Sequence, residues 1–92
     1  MKIYQSNLFA RKVKKLNKNQ KLILDTEILE IAKNPKIGDA KKGDLKGVYI
    51  YNFKIRQQLY LLSYRKKGVD LELITFGSHE NYYRDLKSYL KS

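Results

Sequence analysis

The apolar positions change period twice along the chain, and the changes mark out its elements. After Lys2 to Gln5, which reads as a short leading strand, Ser6 or Asn7 stands as an N-cap. Phe9, Val13 and Leu16 follow at i, i+4 and i+7, one face of a helix. Asn17 to Asn19 interrupts that pattern. A second helix is expected from about Gln20, with Leu24, Ile28 and Ile31 inward, until Asn34-Pro35 stops it. Lys36 to Gly47 is polar and glycine-containing and reads as a loop. The period then becomes two. Tyr49, Tyr51, Phe53 and Ile55 alternate with Val48, Ile50, Asn52, Lys54 and Arg56, so one side of this strand is aromatic and the other turns basic. Leu59 to Arg65 is apolar on both sides and reads as a central strand. Lys66-Lys67-Gly68 turns into a third strand, Val69 to Phe76. Gly77 ends it, and Ser78 caps a last helix built on Tyr82, Leu86 and Tyr89.

The order (β)ααβββα predicts an α+β fold. Its N-terminal helical hairpin packs on a small, mainly antiparallel sheet, and a short C-terminal helix closes the chain. Nothing divides residues 1–92, so a single domain is expected. The face of the sheet away from the hairpin is expected to be partly open.

Charge changes this picture from a fold to a kind of partner. Twenty Lys and Arg against nine Asp and Glu give a formal +11, while 42% hydrophobic residues are normal for a globular chain. Residues 1–24 carry seven bases and no acid, and residues 33–67 carry ten bases against Asp39 and Asp44. Two basic blocks beside a nearly balanced last quarter favour a polyanion or an acidic protein as partner. With no cysteine there is no disulfide framework and no thiolate zinc site, which fits the cytoplasm. The opening Met1–Gln5 lacks a signal-peptide core, and no run approaches the ~18 apolar residues of a membrane span. A secreted mini-protein, a membrane protein and a multidomain enzyme are not expected, and neither is a metal or other cofactor.

The candidate chemistry lies in Gly77-Ser78-His79-Glu80-Asn81-Tyr82-Tyr83-Arg84. His79 is the only histidine, and its side chain type suits proton transfer near neutrality. On a helix begun at Ser78, His79 would be an i+3 and i+4 neighbour of Tyr82 and Tyr83. Arg84, Lys54 and Arg56 could stabilise an anionic transition state. A proton-transfer group among bases is the minimal equipment for RNA cleavage, although a lone histidine at a helix start also serves as a structural cap. Tyr82 and Tyr83 are candidates for stacking on a base, one of them packing inward, and Lys12 and Lys15 for phosphate contacts. A solvated helix face, or a surface for an acidic protein, accounts for the same lysines.

The ααβββ order, Gly43-Asp44-Leu45-Lys46-Gly47-Val48-Tyr49, Leu61-Leu62-Ser63-Tyr64-Arg65 and the closing Gly77-Ser78-His79-Glu80-Asn81-Tyr82-Tyr83 together resemble the RelE/ParE superfamily of type II toxin–antitoxin toxins. The resemblance spans nearly the whole chain, and the C-terminal motif is most similar to the YafQ-like and HigB-like branches. It implies a ribonuclease that cleaves mRNA, usually on the ribosome, and is silenced by a cognate antitoxin. By position it implies a catalytic group of His79 for acid/base work, the aromatic Tyr83 and the phosphate-binding base Arg65, with Lys54 and Arg56 as further phosphate-binding bases. One position departs from the pattern: RelE proper carries an arginine in a Tyr-Arg-Leu-type sequence, and here that register reads Tyr60-Leu61-Leu62. The ParE branch shares the fold, poisons DNA gyrase and lacks the nuclease residues, which makes gyrase inhibition the alternative expectation. A small basic adaptor for an acidic protein is the third.

Overall fold

The computed structural model describes residues 1–78 together with Tyr82, Leu86 and Leu90. The strands are β1 (Ile3–Gln5), β2 (Asp39–Ala40), β3 (Val48–Ile55), β4 (Gln58–Lys67) and β5 (Asp70–Ser78). They form one sheet in the order β1-β5-β4-β3-β2, antiparallel except where β1 runs parallel to β5. The apolar β4 is central, as its two-sided pattern predicts. The helices are α1 (Asn7–Val13) and α2 (Lys18–Lys33).

Local chemistry sets the helix ends. Ser6 Oγ accepts from Phe9 N and caps α1. α2 begins two residues earlier than its apolar spacing suggests, because Asn17 and Gln20 form a reciprocal capping box at 2.8 and 2.9 Å. α1 stops at Val13, and Lys14 to Leu16 form the turn between the helices. The segment expected as an unbroken loop holds β2 and a 3-10 turn, Gly43–Leu45. Tyr64 ties down its start: its hydroxyl donates to Pro35 O at 2.7 Å and accepts from Gly38 N at 3.0 Å. A Cβ at position 38 would stand 2.9 Å from that hydroxyl, so this close approach needs glycine.

Both faces of the sheet are covered, by different parts of the chain. On the inner face, Phe9, Leu24 and Ile31 of the helices pack on Phe53, Ile55, Leu62, Leu71, Leu73 and Phe76. Tyr51 adds a polar tie there, donating to Glu27 Oε1 at 2.6 Å. Burial, and then the adjacent Glu27 carboxylate, push its pKa up to about 12. On the outer face, Tyr82 and Leu86 pack on Leu45, Val48, Ile50, Leu61 and Ile74, with Leu90 alongside. Those three residues have helical backbone at a spacing of four, which brings them to one side. The outer face is therefore closed over its middle, where partial opening was expected. The expectation for Tyr89 lies outside the described residues.

A β-bulge adjusts β5 to these two cores. Ser63 pairs with Thr75 and Tyr64 with Leu73, which leaves Ile74 as the extra residue. Strict alternation from Leu71 and Leu73 would carry Phe76 outward. With the bulge, Ile74 keeps its outward side in the outer core and Phe76 is turned into the inner one, its ring edge-on to Phe9 at 4.9 Å.

Candidate functional site

The β3–β4 hairpin and the C-terminal end of β5 meet at one end of the sheet. Ile55 pairs with Gln58, so Arg56 and Gln57 form a two-residue turn. Arg56 is the one non-glycine residue among those described with positive φ, +58°. That region disfavours side chains with a Cβ, and glycine or asparagine would fill it with less strain. Such local strain concentrates at functional positions, and here it holds an exposed arginine at the tip of the sheet. Lys54 pairs with Leu59, and Ser78 pairs with Tyr60. The backbone of Lys54 thus lies one register step from the last described residue of β5, with β4 between them. Lys54 and Arg56 are both exposed, and neither has an ion-pair partner among the described residues.

α1 supplies a third base to this end. Lys12 Nζ donates to Phe76 O at 3.0 Å, and its side chain is half-buried. Lys12 was expected as a phosphate contact; the structure engages its ammonium with the main chain of β5. Lys15, in the turn after α1, is exposed as a phosphate contact would need to be.

Two other expected site residues do not join this cluster. Arg65 lies five residues beyond Tyr60 on β4, roughly 17 Å along the strand at ~3.4 Å per residue. There its Nε is ion-paired with Glu72 Oε1, and Lys67 Nζ stands 3.8 Å from the same oxygen. A recess of about 330 Å³ beside the pair is lined by Tyr4, Lys67 and Glu72. Arg65 is separated because β4 is long enough to carry its two ends apart, and because Glu72 lies directly opposite it. Tyr82, expected to stack on a base, is 1% exposed and buried against the outer face of the sheet, because its helical spacing aligns it with Leu86. Tyr82 fills the inward-packing role expected of one of the two neighbouring tyrosines. His79, Tyr83 and Arg84 lie outside the described residues.

Leu61 is the position at which the resemblance to RelE proper leads one to expect an arginine. It is 4% exposed, and Tyr82 and Leu86 share its cluster. The middle of the outer face is thus apolar and covered, and the exposed bases stand at its margin.

Sequence reasoning missed how Ser6 and Lys12 serve β5. Their partners are 64 to 68 positions away, and no local spacing signals such a contact. Among the described residues, no group of three or more His, Cys, Asp or Glu is placed to hold a metal ion. No helix among them is long and apolar enough to cross a membrane.

The architecture recurs in solved structures. E. coli RelE, in the intact RelBE toxin–antitoxin complex, superposes with a TM-score of 0.69 at 21% identity, covering 86% of this chain and 96% of that one. A doubly substituted E. coli RelE in the free state gives 0.72 at 20% identity, over 98% and 93% of the two chains. A YoeB/ParE toxin from Agrobacterium tumefaciens gives 0.65 at 19%, over 86% and 99%. At these identities the likeness is one of fold. No curated protein sequence matches the chain. The profile of the ParE-like toxins of type II bacterial toxin–antitoxin systems matches residues 3–87. The match takes in the hairpin, the whole sheet and Tyr82 and Leu86 behind it, and the chain belongs to that family.

Proposed function

We propose that this toxin is a metal-independent mRNA endoribonuclease acting in the cytoplasm, on mRNA held by the ribosome, and that it stops translation until a cognate antitoxin binds it. The observation that carries this reading is the end of the sheet, where exposed Lys54 and Arg56 stand across β4 from the strand that leads through Ser78 into His79. In the proposed reaction a base removes the proton of a ribose 2′-OH, and the oxygen attacks the adjacent phosphorus. A 2′,3′-cyclic phosphate forms as the bond to the 5′-oxygen breaks, and an acid protonates that leaving oxygen. His79 acts as general acid or base, and Tyr83 stacks on a base or relays a proton. Lys54, Arg56 and Arg84 neutralise the non-bridging oxygens as charge builds on them. The nucleophile belongs to the substrate, so no metal is required to generate it. Lys15 contacts the RNA backbone away from the reacting phosphate. The complex of RelE with RelB supports an antitoxin as partner, and an acidic or amphipathic segment would complement the basic end and the helical hairpin.

His79→Ala tests the reading. Cleavage of ribosome-bound mRNA should fall by roughly 10²- to 10⁴-fold, the usual contribution of one general acid or base, with an unchanged thermal melt. Full cleavage or full growth arrest by that variant removes the catalytic role. One observation favours the gyrase reading: an apolar, covered Leu61 stands where RelE proper has a base. Inhibition of supercoiling by the wild type, without mRNA cleavage, would establish that alternative.

A further inference from the structure

β5 changes from an inner strand to an edge strand along its own length. β1 pairs with it only from Leu71 to Leu73. Beyond that point no strand among the described residues pairs with this side of β5, and the carbonyls of Leu73, Ile74 and Phe76 face the N-terminal segment; an unpaired edge both frays and invites foreign pairing. Side chains and one amide of that segment take the place of the missing strand. Ser6 N donates to Leu73 O at 3.0 Å. Ser6 Oγ donates to Ile74 O at 2.5 Å while also capping α1. Lys12 Nζ donates to Phe76 O at 3.0 Å. A Cβ at position 77 would lie 3.4 Å from that ammonium, so the lysine tip lies directly against the strand at Gly77. Phe9, one turn earlier on α1, packs edge-on to Phe76 and sets the distance between helix and strand. The charged donor therefore serves the last stretch of β5 before Ser78.

We infer that Lys12 is a positioning residue: its ammonium pins the free edge of β5 at Phe76 and thereby fixes the end of the strand from which the His79 segment departs. The role in cleavage rests on the nuclease reading; the anchoring of β5 does not. A charge-assisted hydrogen bond to a carbonyl at a half-buried site is stronger than a neutral one, and lysine spans the gap from α1 where Ser6, already used at Ile74, cannot. The lysines of the hairpin thus divide by task. Exposed Lys15 belongs to the binding surface, and half-buried Lys12 belongs to the scaffold of the site.

The two roles separate in kinetics and in salt dependence. A phosphate contact contributes to binding, and its removal raises KM and lowers the slope of log K against log salt by roughly 0.7 for single-stranded RNA. A positioning residue contributes to the geometry of the reacting groups, and its loss lowers kcat. Lys12→Gln should lower kcat about tenfold or more, with KM within about twofold of wild type and the salt slope unchanged. Lys12→Arg, which keeps a charged donor, should recover most of that loss. Lys15→Gln should show the opposite pattern, a raised KM and a shallower slope at constant kcat. A Lys12→Gln variant that behaves like Lys15→Gln, or like wild type, overturns the positioning role. Amide hydrogen exchange reads the anchoring without RNA: the Gly77 and Ser78 amides should exchange faster in Lys12→Gln than in wild type or Lys12→Arg. Equal exchange in all three overturns the anchoring, whereas wild-type protein that cleaves no RNA overturns the nuclease reading instead.

Discussion

The two ends of the sheet are built from the same residue types and use them in opposite ways. At the β4–β5 turn end, Arg65 is ion-paired with Glu72, and Lys67 stands 3.8 Å from the same carboxylate oxygen. At the β3–β4 hairpin end, Lys54 and Arg56 meet no acid among the described residues and face solvent, one of them on a strained backbone. Between the ends lies the covered apolar patch of Val48, Ile50, Leu61 and Ile74. A basic residue is therefore no marker of a binding site by itself in a chain this positive. What distinguishes the proposed functional end is a pair of exposed bases with no ion-pair partner among the described residues, near a strand end that leads to a titratable group.

Three variants test that contrast. The largest effect should come from the patch between the ends. Leu61→Arg installs the arginine that the resemblance to RelE proper leads one to expect, but at a position 4% exposed and packed with Tyr82 and Leu86. A buried unpaired charge there should cost roughly 3 kcal/mol, read as a lower urea midpoint at unchanged m-value. A gain in cleavage at full stability would mean that the patch opens readily and that the contrast is false. Next, replacing Lys54 and Arg56 together by alanine should weaken RNA binding about tenfold, at something under 1 kcal/mol per exposed charge contact. The salt slope should become shallower by roughly 1.4, and the urea midpoint should not fall. The smallest effect belongs to the other end. Arg65→Ala should cost about 1 kcal/mol, because the pair is partly exposed and Lys67 remains near Glu72. Cleavage should stay within about twofold of wild type, and a loss comparable to that of His79→Ala would return Arg65 to the catalytic group.

Much of the fold was legible because its determinants are local or periodic. The spacing of Leu24, Ile28 and Ile31, the Asn34-Pro35 stop and the aromatic alternation of Tyr49 to Ile55 each record one element, and each element is present. The strands run one to two residues longer than their apolar cores at several ends, since backbone pairing continues through polar residues such as Lys66 and Lys67. The candidate site was legible only as a set of residue types. Arg65 and Arg56 look equivalent along the chain; Glu72, seven residues after Arg65 and across the β4–β5 turn, distinguishes them. Tyr82 and Tyr83 likewise look alike along the chain, and only the tertiary structure shows Tyr82 packed with Leu86.

The amino-acid sequence by itself determined the helical hairpin, the three-stranded meander with its central apolar strand, the positive charge and the family resemblance, because period, caps and turn residues act over a few positions. The tertiary structure alone decided which bases are exposed together and which are neutralised. It also decided that the outer face is closed over Leu61 and that Lys12 holds β5. Each of these depends on contacts between residues from seven to more than sixty positions apart, set by strand register and by a single bulge, and charge and hydropathy along the chain carry no record of either.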